Sequence, residues 1–261
     1  MSSIPSRSAV VVGGASGIGA AIVRALAADG ATVTIADRNL PLAKSLAEEL
    51  GSPHEATQVD VAEEDSVRAL FESVRASRGR LDIAVNSAGL SVAGPVTDLP
   101  IEKFRLVVDV CLIGAFAVIK HAARLMDDGG VIISLSSLNA RQPGTGMSAY
   151  CSAKAGLAML TQVAALELAE RKIRVNAIAP GIVMTPLTTP SMSVPGLEDD
   201  YLANTPLGRA GTPEEIADAA VYMTNAHWLT GESLDLNGGA HLVRYPDLLG
   251  HFQRASAMKD S

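Results

Sequence analysis

Aromatic residues are scarce in this chain: phenylalanine, tyrosine and tryptophan together make up 3% of its 261 residues. Hydrophobic residues nevertheless make up 48%, so the core must be built mainly from alanine, valine, leucine and isoleucine. Such side chains usually line parallel sheets that helices cover on both faces. A chain of this length can bury a large core without disulfides or a structural metal.

Cysteines and basic residues are also few. Cys111 and Cys151 are the only cysteines, and they match no metal-binding or CxxC spacing, so we expect free thiols and no metal. The formal net charge of −7 argues against a nucleic-acid partner, which would call for a basic face. The start of the chain lacks a signal-peptide pattern, and no apolar run approaches the ~20 residues that span a bilayer. We therefore expect a cytoplasmic protein without a membrane partner.

Short apolar runs alternate along the chain with longer stretches of helical periodicity. The predicted strands are Ala9–Val12, Thr32–Ala36, Ala56–Val59, Leu81–Val85, Val131–Leu135, Arg174–Ile178 and Ser233–Leu236. The predicted helices are Ile18–Asp29, Leu42–Leu50, Glu64–Ser77, Ile101–Met126, Ala149–Glu170 and Pro213–Asn225. Strands that alternate with helices imply right-handed crossovers and a parallel sheet with helices on both faces. We predict one doubly wound α/β domain with a seven-stranded sheet over residues 1–261.

Two segments break this alternation. Residues 185–209 are rich in proline, threonine, serine and methionine and have no clear period, which is typical of a mobile lid between a strand and a helix. The tail, residues 240–261, carries several large apolar and aromatic side chains. Disordered segments are normally poor in such residues, so we expect the tail to be docked.

The first predicted strand runs into a glycine-rich loop that is followed by a helix. Glycines let the backbone approach a pyrophosphate closely, and a helix N-terminus offers free N–H groups and a partial positive charge. The strand before the loop and the helix after it are the context that a dinucleotide site requires. The loop residues predicted to bind the cofactor are Gly13, Ala15, Ser16, Gly17, Ile18 and Gly19.

Asp37 follows the second strand, 18 residues after Gly19. A carboxylate at this place can accept hydrogen bonds from the adenosine ribose hydroxyls and repel a 2′-phosphate. Arg38 is a competing signal, because a guanidinium can stack on adenine or bind a phosphate. We expect NAD rather than NADP, and capping of the turn before Pro41 is the structural alternative for Asp37.

Tyr150 and Lys154 are four residues apart on a predicted helix and therefore share one face. A phenol with a pKa of about 10 is a poor base at neutral pH, but a neighbouring ammonium and an oxidised nicotinamide would lower that pKa. Ser137 stands 13 residues earlier, just past the fifth strand, where strand ends form a ligand crevice. We predict that Tyr150 is the acid/base of an alcohol–ketone interconversion and that Ser137 binds the substrate oxygen.

These motifs, in this order, resemble the classical short-chain dehydrogenase/reductase family from about Ser8 to Gly239. The resemblance implies a Rossmann-type fold, a nicotinamide cofactor and catalysis by Ser137, Tyr150 and Lys154, the last two also contacting the cofactor. By resemblance, Asp60 and Val61 contact the adenine. The rest of the implied cofactor set is Asn86, Ala88 and Gly89, then Pro180 and Gly181, then Ile182 and Thr185 at the nicotinamide carboxamide.

The chain departs from the family pattern at four positions. Val12 replaces a threonine before the loop, Ser87 replaces the second asparagine of Asn-Asn-Ala-Gly, and Asn237 stands where an aspartate is common. Cys111 replaces the asparagine of the catalytic tetrad, which by resemblance shapes a kinked helix whose carbonyl binds a water on the relay to the lysine. A thiol hydrogen-bonds more weakly than an amide. We predict slowed rather than abolished catalysis, with a tolerated substitution as the alternative.

The expected substrate pocket is mainly apolar and lacks a basic cluster that could grip a phosphate or carboxylate. Its predicted residues are Leu138, Asn139, Gln142, Met147, Met184 and Leu187. They favour a hydrophobic secondary alcohol of the steroid, terpenoid or cyclic-alcohol kind. Two alternatives stay open: a 3-oxoacyl-thioester reductase, with Lys103, Arg105 and Arg141 facing an acidic carrier, and a non-catalytic NAD-binding sensor.

The two longest predicted helices exceed what the edges of a monomer need. By resemblance they pair with symmetry mates, and we expect a homotetramer, with a dimer as second choice. The tail from Tyr245 to Phe252 could then reach over the pocket of a neighbouring subunit.

Overall fold

The computed structural model describes residues 6–258, so the first five and last three residues of the predicted domain lie outside the described part. The strands are β1 (Ser8–Val12), β2 (Thr32–Asp37), β3 (Glu55–Gln58), β4 (Ile83–Asn86), β5 (Val131–Leu135), β6 (Arg174–Pro180) and β7 (Ser233–Leu236). The helices are α1 (Gly17–Ala28), α2 (Leu40–Leu50), α3 (Glu64–Arg78), α4 (Ile101–Val108), α5 (Gly114–Leu125), α6 (Ser148–Leu168), α7 (Thr189–Met192), α8 (Leu197–Ala203), α9 (Pro213–Asn225) and α10 (Leu248–Ala257).

All seven strands belong to one parallel sheet in the order β3-β2-β1-β4-β5-β6-β7. The chain leaves β1 toward one edge of the sheet and leaves β4 toward the other, so the strand order reverses between them. Ligands bind at the carboxyl ends of the strands beside such a reversal. The predicted doubly wound α/β fold is confirmed. The sixth strand continues to Pro180 because that residue still pairs with Leu236 of β7.

The core has two halves, one on each face of the sheet. Side chains alternate between the faces of a strand, so Val11 packs with α1 and α9 while Val10 packs with α3, α5 and α6. Both halves consist mainly of aliphatic residues, and Phe71 is the only aromatic residue in either buried cluster within residues 6–258. The low aromatic content therefore fits a sheet that helices cover on both faces.

The predicted helix Ile101–Met126 is divided in the structure. A π-helical turn, Asp109–Ile113, separates α4 from α5 and carries Cys111. At the start of α5, a Cβ on Gly114 would lie 2.8 Å from the Val61 carbonyl oxygen, so only glycine fits this approach. Sequence periodicity did not predict the π turn, because one extra residue per turn barely disturbs an apolar pattern.

The same helical run, Ile101–Leu125, is 25 residues long with a mean hydropathy of 1.9 in its most apolar window. By length and composition it could cross a membrane, so the expectation that no apolar run approaches that length is wrong here. Of that window, 56% is buried inside the protein. Its apolarity is thus explained by packing against the sheet, as in the core helix of a soluble protein.

The lid and the tail contact each other. The lid, residues 185–209, holds α7 and α8, which are too short to produce a helical period in the sequence. The described part of the tail, residues 240–258, is docked, as predicted, and contains α10. Asp200 of α8 accepts hydrogen bonds from the Arg244 guanidinium at 3.1 Å and from the Asp247 N–H at 3.1 Å, and it contacts His251 Nε2 at 3.2 Å. One carboxylate therefore connects the two segments.

Candidate active site

The glycine loop between β1 and α1 has no room for larger side chains. A Cβ on Gly13 would lie 2.7 Å from the Ala88 nitrogen, and one on Gly19 would lie 2.0 Å from the Gly13 carbonyl oxygen. Gly13 and Gly17 also have positive φ angles of 71° and 51°, which glycine tolerates best. Ser16 makes no side-chain cap at the start of α1, so first-turn N–H groups remain available to a phosphate. These features fit the pyrophosphate of a dinucleotide.

A cleft of about 380 Å³ lies beside this loop. The predicted cofactor residues that line it are Gly13, Ser16, Gly17, Ile18, Asp37, Arg38, Asp60, Val61, Ala88, Gly89 and Thr185. An adjoining cavity of about 120 Å³ is lined by Ser137, Tyr150, Lys154, Pro180 and Gly181. The structure therefore brings most of the predicted cofactor set together at the carboxyl ends of the strands.

Four predicted cofactor residues line neither of these cavities. They are Ala15, Gly19, Asn86 and Ile182. The Ala15 N–H donates to Asp37 Oδ2 at 3.0 Å, and the Ala88 N–H donates to Asn86 Oδ1 at 3.2 Å. Ala15 and Asn86 thus hold the loops in shape from behind the cleft, while Ile182 lines the substrate cavity described below.

Asp37 occupies the end of β2 and faces the cleft. Besides the bond from Ala15, its Oδ1 accepts the Asn39 N–H at 2.9 Å, which is the turn-capping role given above as an alternative. Each carboxylate oxygen can accept two hydrogen bonds, so Asp37 keeps acceptor capacity toward the cleft. Capping and ribose binding are therefore compatible, and Arg38 lines the same cleft.

The three predicted catalytic side chains meet between β5 and α6. Ser137 follows β5, and Tyr150 and Lys154 lie in the first two turns of α6; all three line one cavity. Lys154 is 3% exposed, and its Nζ lies 5.5 Å from the centre of the Tyr150 ring. The same ammonium donates a hydrogen bond to the Leu135 carbonyl at 2.6 Å. The end of β5 therefore fixes the position of the buried cation.

The charge states of these groups follow from their burial. Burial raises the pKa of Tyr150, and interaction with the Ser137 hydroxyl offsets only part of that rise. Burial also lowers the pKa of Lys154. Desolvation thus outweighs the lowering by Ser137, and the phenol is held protonated. The lowering expected from Lys154 together with an oxidised nicotinamide stays a prediction. It can donate a proton as it stands, whereas its use as a base requires further positive charge nearby.

Cys111 lies on the inner side of the π turn and contacts the backbone that follows β4. Its Sγ donates to the Leu90 carbonyl at 3.3 Å and accepts the Leu90 N–H at 3.5 Å. A Cβ on Gly89 would meet both Lys154 Nζ, at 3.7 Å, and Cys111 Sγ, at 3.8 Å. The thiol therefore makes both a donor and an acceptor contact, although sulfur bonds are weak. The π turn forms here even though the tetrad asparagine is absent.

A separate cavity of about 190 Å³ lies on the other side of Ser137 and Tyr150. The predicted substrate residues that line it are Leu138, Asn139, Gln142, Met147 and Leu187. Met184 does not line it and is 37% exposed. Its neighbour Val183 is buried and forms a parallel bridge with Gly211. Because successive side chains of an extended segment face opposite ways, Met184 faces outward.

Comparison with known proteins identifies the family. A family model described as enoyl-(acyl carrier protein) reductase, which belongs to the short-chain dehydrogenases/reductases, matches residues 13–241. This chain is a short-chain dehydrogenase/reductase. It is 37% identical to 3beta-hydroxysteroid dehydrogenase 1 of Eggerthella lenta, over 93% of this chain and 96% of that one. It is 35% identical to a human 3-oxoacyl-[acyl-carrier-protein] reductase, over 89% of this chain and 97% of that one.

A solved structure shares the fold. The short-chain type dehydrogenase/reductase from Mycobacterium ulcerans superposes with a TM-score of 0.91 at 34% identity, covering 95% of this chain and 94% of that chain. The family uses nicotinamide cofactors, and the glycine loop and cleft described above fit such a cofactor.

Several residues that line the substrate cavity of this short-chain dehydrogenase/reductase are absent from the predicted set of substrate residues. They come from the lid and the tail and include Met192, Tyr201, Tyr245, Leu248 and Phe252. The tail thus covers the pocket of its own chain, whereas the sequence suggested the pocket of a neighbour. A usable signal was present: the chain has four tyrosines, and three of them, Tyr150, Tyr201 and Tyr245, line this one cavity.

Proposed function

We propose that this enzyme is an NAD(H)-dependent oxidoreductase that interconverts a hydrophobic secondary alcohol and its ketone. One observation carries the proposal: Ser137 and Tyr150 line both the cavity beside the cofactor cleft and the cavity under the lid and tail. A proton donor and a hydroxyl therefore stand between two binding spaces. Such a position suits a reaction in which one carbon exchanges hydride on one side while its oxygen exchanges a proton on the other.

The protein's own groups supply the proton chemistry. Ser137 holds the substrate oxygen, and Tyr150 gives its proton to that oxygen in reduction or takes the proton of the alcohol in oxidation. A bound nicotinamide supplies or accepts the hydride, and in its oxidised form adds positive charge. Lys154, anchored on the Leu135 carbonyl, places a buried ammonium behind the Tyr150 ring.

The choice of NAD over NADP rests on Asp37. Its carboxylate faces the cleft at the end of β2, where it would accept the ribose hydroxyls and repel a 2′-phosphate. Arg38 is the one feature that would favour NADP, because it lines the same cleft. We give Asp37 the greater weight, because two backbone N–H groups, those of Ala15 and Asn39, hold its carboxylate in place.

A second candidate, reduction of a 3-oxoacyl thioester, has support in the names of relatives such as the human reductase. Of the three cations that could face an acidic carrier, Arg141 is paired with Asp235, which leaves Lys103 and Arg105 on α4. The lid and tail contribute large apolar side chains to the cavity, Met192, Leu248 and Phe252 among them, which favours the alcohol. The Arg244 guanidinium also lines the cavity, but it is paired with Asp200. A third candidate, an NAD-binding sensor, would bind cofactor without turnover.

The experiment that tests these candidates is a turnover assay with purified protein. NADH or NADPH formation would be followed over a panel of hydrophobic secondary alcohols, and an acetoacetyl thioester would be offered in the reverse direction. We expect NADH formation with the alcohols and its loss in Tyr150→Phe. Preferential reduction of the thioester would support the second candidate. NAD binding with no turnover on any probe would support the sensor.

For assembly, we propose a homotetramer. Exposed apolar side chains continue along α5 and α6, including Phe116, Met159 and Leu166, the last 80% exposed. Faces of this kind mark interfaces in soluble proteins. Leu166→Glu should convert a wild-type tetramer to dimers in analytical ultracentrifugation, whereas Leu207→Glu, on the lid, should not. A monomeric wild-type protein would contradict the proposal.

Both cysteines are free, which supports a cytoplasmic location.

A further inference from the structure

Three polar side chains in the lining of the substrate cavity are connected by hydrogen bonds, and the rest of the lining is both apolar and polar. The hydroxyls of Tyr201, on α8, and Tyr245, in the tail, are 2.8 Å apart. The Tyr245 hydroxyl donates to Asn139 Oδ1 at 3.1 Å. The two rings meet edge to face, with centroids 5.8 Å apart. All three residues line the same cavity as Tyr150.

The direction of this hydrogen-bond chain is fixed from its inner end. Asn139 Nδ2 donates to the Gln142 carbonyl at 3.1 Å, so the amide oxygen is the atom that faces Tyr245. A phenol has one proton to donate, and Tyr245 gives its proton to Asn139. Tyr245 must therefore accept the proton of Tyr201. The Tyr201 oxygen is left with acceptor capacity and no proton to offer.

Both phenols keep their protons at neutral pH. Burial is the main cause that raises the pKa of Tyr201 and of Tyr245. Within residues 6–258 the Tyr201 hydroxyl makes no hydrogen bond other than the one to Tyr245. The Tyr201 oxygen, at the outer end of this hydrogen-bond chain, is thus a neutral acceptor to which no group within residues 6–258 donates.

The positions of these groups are set before any ligand arrives. Asp200, beside Tyr201, connects α8 to the tail through Arg244 and the Asp247 N–H. The tail segment can approach because Gly144 has no side chain: a Cβ there would lie 2.6 Å from the Tyr245 ring. A polar group held by supporting contacts of this kind discriminates between ligands better than a mobile one.

We propose that the Tyr201 oxygen binds a second hydroxyl group of the substrate, remote from the reacting carbon, and that Asn139 and Tyr245 set its polarity. The substrate class is then a hydrophobic diol or hydroxyketone whose remote oxygen is a hydroxyl. A carbonyl at the remote position would place lone pairs against the lone pairs of Tyr201 and leave both unsatisfied, which is costly in a buried site. The inference rests on the proposed function in one respect: the proposed function decides which oxygen of the substrate reacts and which is the remote one.

The test uses two matched probe series, cyclohexanols and androstanols, that carry hydroxyl, carbonyl or only hydrogen at the ring position farthest from the reacting alcohol. Binding is measured by calorimetry on Tyr150→Phe protein saturated with NAD, so that affinity is read without hydride transfer. The ratio kcat/KM is measured in parallel on wild type. Tyr201→Phe and Tyr245→Phe are made in both backgrounds, and Tyr222→Phe, outside the cavity, is the matched control.

We expect the hydroxyl probe of the better-fitting series to bind roughly 10- to 100-fold more tightly than its carbonyl partner. Tyr201→Phe should bring this ratio close to one. Tyr245→Phe should also bring the ratio close to one, but for a different reason: the Tyr201 hydroxyl regains a free proton and can donate it to a carbonyl. In that variant both the hydroxyl and the carbonyl probe should still bind more tightly than the hydrogen probe. Tyr222→Phe should leave the ratio unchanged.

Several results would overturn the inference. A wild-type ratio below about twofold in both series, binding of no hydroxyl probe, or a ratio that survives Tyr201→Phe would each do so. Failure of this inference can be distinguished from failure of the proposed function. A binding preference without any NADH formation would leave the Tyr201 site standing and remove the dehydrogenase, whereas turnover without a preference would do the reverse.

Discussion

The two halves of the active-site crevice are built in different ways. The cofactor half consists of short loops directly after β1, β2, β3 and β4, and glycine holds some of them in contact, as where Gly13 meets Ala88. The substrate half is assembled from the turn after β5, the lid and the tail, which meet through side chains such as Tyr201 and Tyr245, 44 residues apart. The cofactor half thus consists of loops that directly continue the strands of the sheet, whereas the substrate half consists mainly of segments that pack over the strand ends.

This difference predicts different responses to substitution. A change in the cofactor half should disturb backbone contacts and cofactor affinity together. A change in the substrate half should alter substrate affinity while leaving the cofactor and the fold largely intact. Four predictions, from the largest expected effect to the smallest, test that division.

Gly13→Ala should weaken cofactor binding by more than about 100-fold, because the new Cβ would push against Ala88 and displace the loop. The positive φ adds a strain on the order of 1–3 kcal/mol. Gly30→Ala is the matched control: Gly30 has φ 85° but nothing within 4 Å of a Cβ. Calorimetry and thermal melting would measure both. Equal losses of affinity in the two variants would contradict the assignment of the loss to the close approach between Gly13 and Ala88.

Asp37→Ala should lower NAD affinity by about 10- to 100-fold, because hydrogen bonds to a charged group are worth about 1.5–3 kcal/mol. It should also raise activity with NADP, since the repulsion of a 2′-phosphate is removed. Steady-state kinetics with both cofactors would measure the change. Arg38→Ala in the same background tests whether the guanidinium then binds the phosphate. A wild-type enzyme that prefers NADP would contradict the assignment of Asp37.

Asp200→Asn should raise the KM for the substrate about tenfold with little change in kcat or in the KM for NAD. The carboxylate connects the lid to the tail through the Arg244 guanidinium and the Asp247 N–H, and a neutral amide accepts from such donors more weakly. The adjacent and exposed Asp199 supplies the control variant Asp199→Asn. If Asp200→Asn lowered NAD affinity as much as substrate affinity, the two halves would not be independent.

Cys111→Asn should raise kcat by about two- to fivefold and shift the pH profile, a small part of what acid–base catalysis contributes. The π turn and the contacts to Leu90 already exist with the thiol, so only the strength of the hydrogen bonds changes. Cys151→Ala is the control for thiol loss near Tyr150. An unchanged rate and an unchanged pH profile would mean that cysteine is simply tolerated at this position.

The same division explains how much the sequence predicted. The glycine loop and Asp37 lie at the ends of strands, so periodicity and the geometry of a parallel sheet were enough to bring them to one edge. Asp60 was placed there by the resemblance to the family. Tyr150 and Lys154 share a helix face by their spacing alone. The fold and the cofactor half are thus local properties that a single sequence carries.

The substrate half was only partly predictable. Tyr201 and Tyr245 meet because two irregular segments fold over the strand ends, and no period encodes that contact. Met184 was misplaced because the inward face of the segment after β6 falls on Val183, which depends on a bridge to distant Gly211. The raised pKa of Tyr150 is caused mainly by desolvation, which the spacing of residues in the sequence cannot show.

The contact that Asp200 makes between the lid and the tail has a consequence for how substrate specificity can evolve. Because that carboxylate joins the two segments to each other outside the sheet, their sequences can change together while the hydrogen bonds between the strands stay the same. Substrate preference can then drift between descendants of one gene while nucleotide binding is conserved. A graft of the lid and tail together, rather than of either alone, is the unit that would carry this preference to another scaffold.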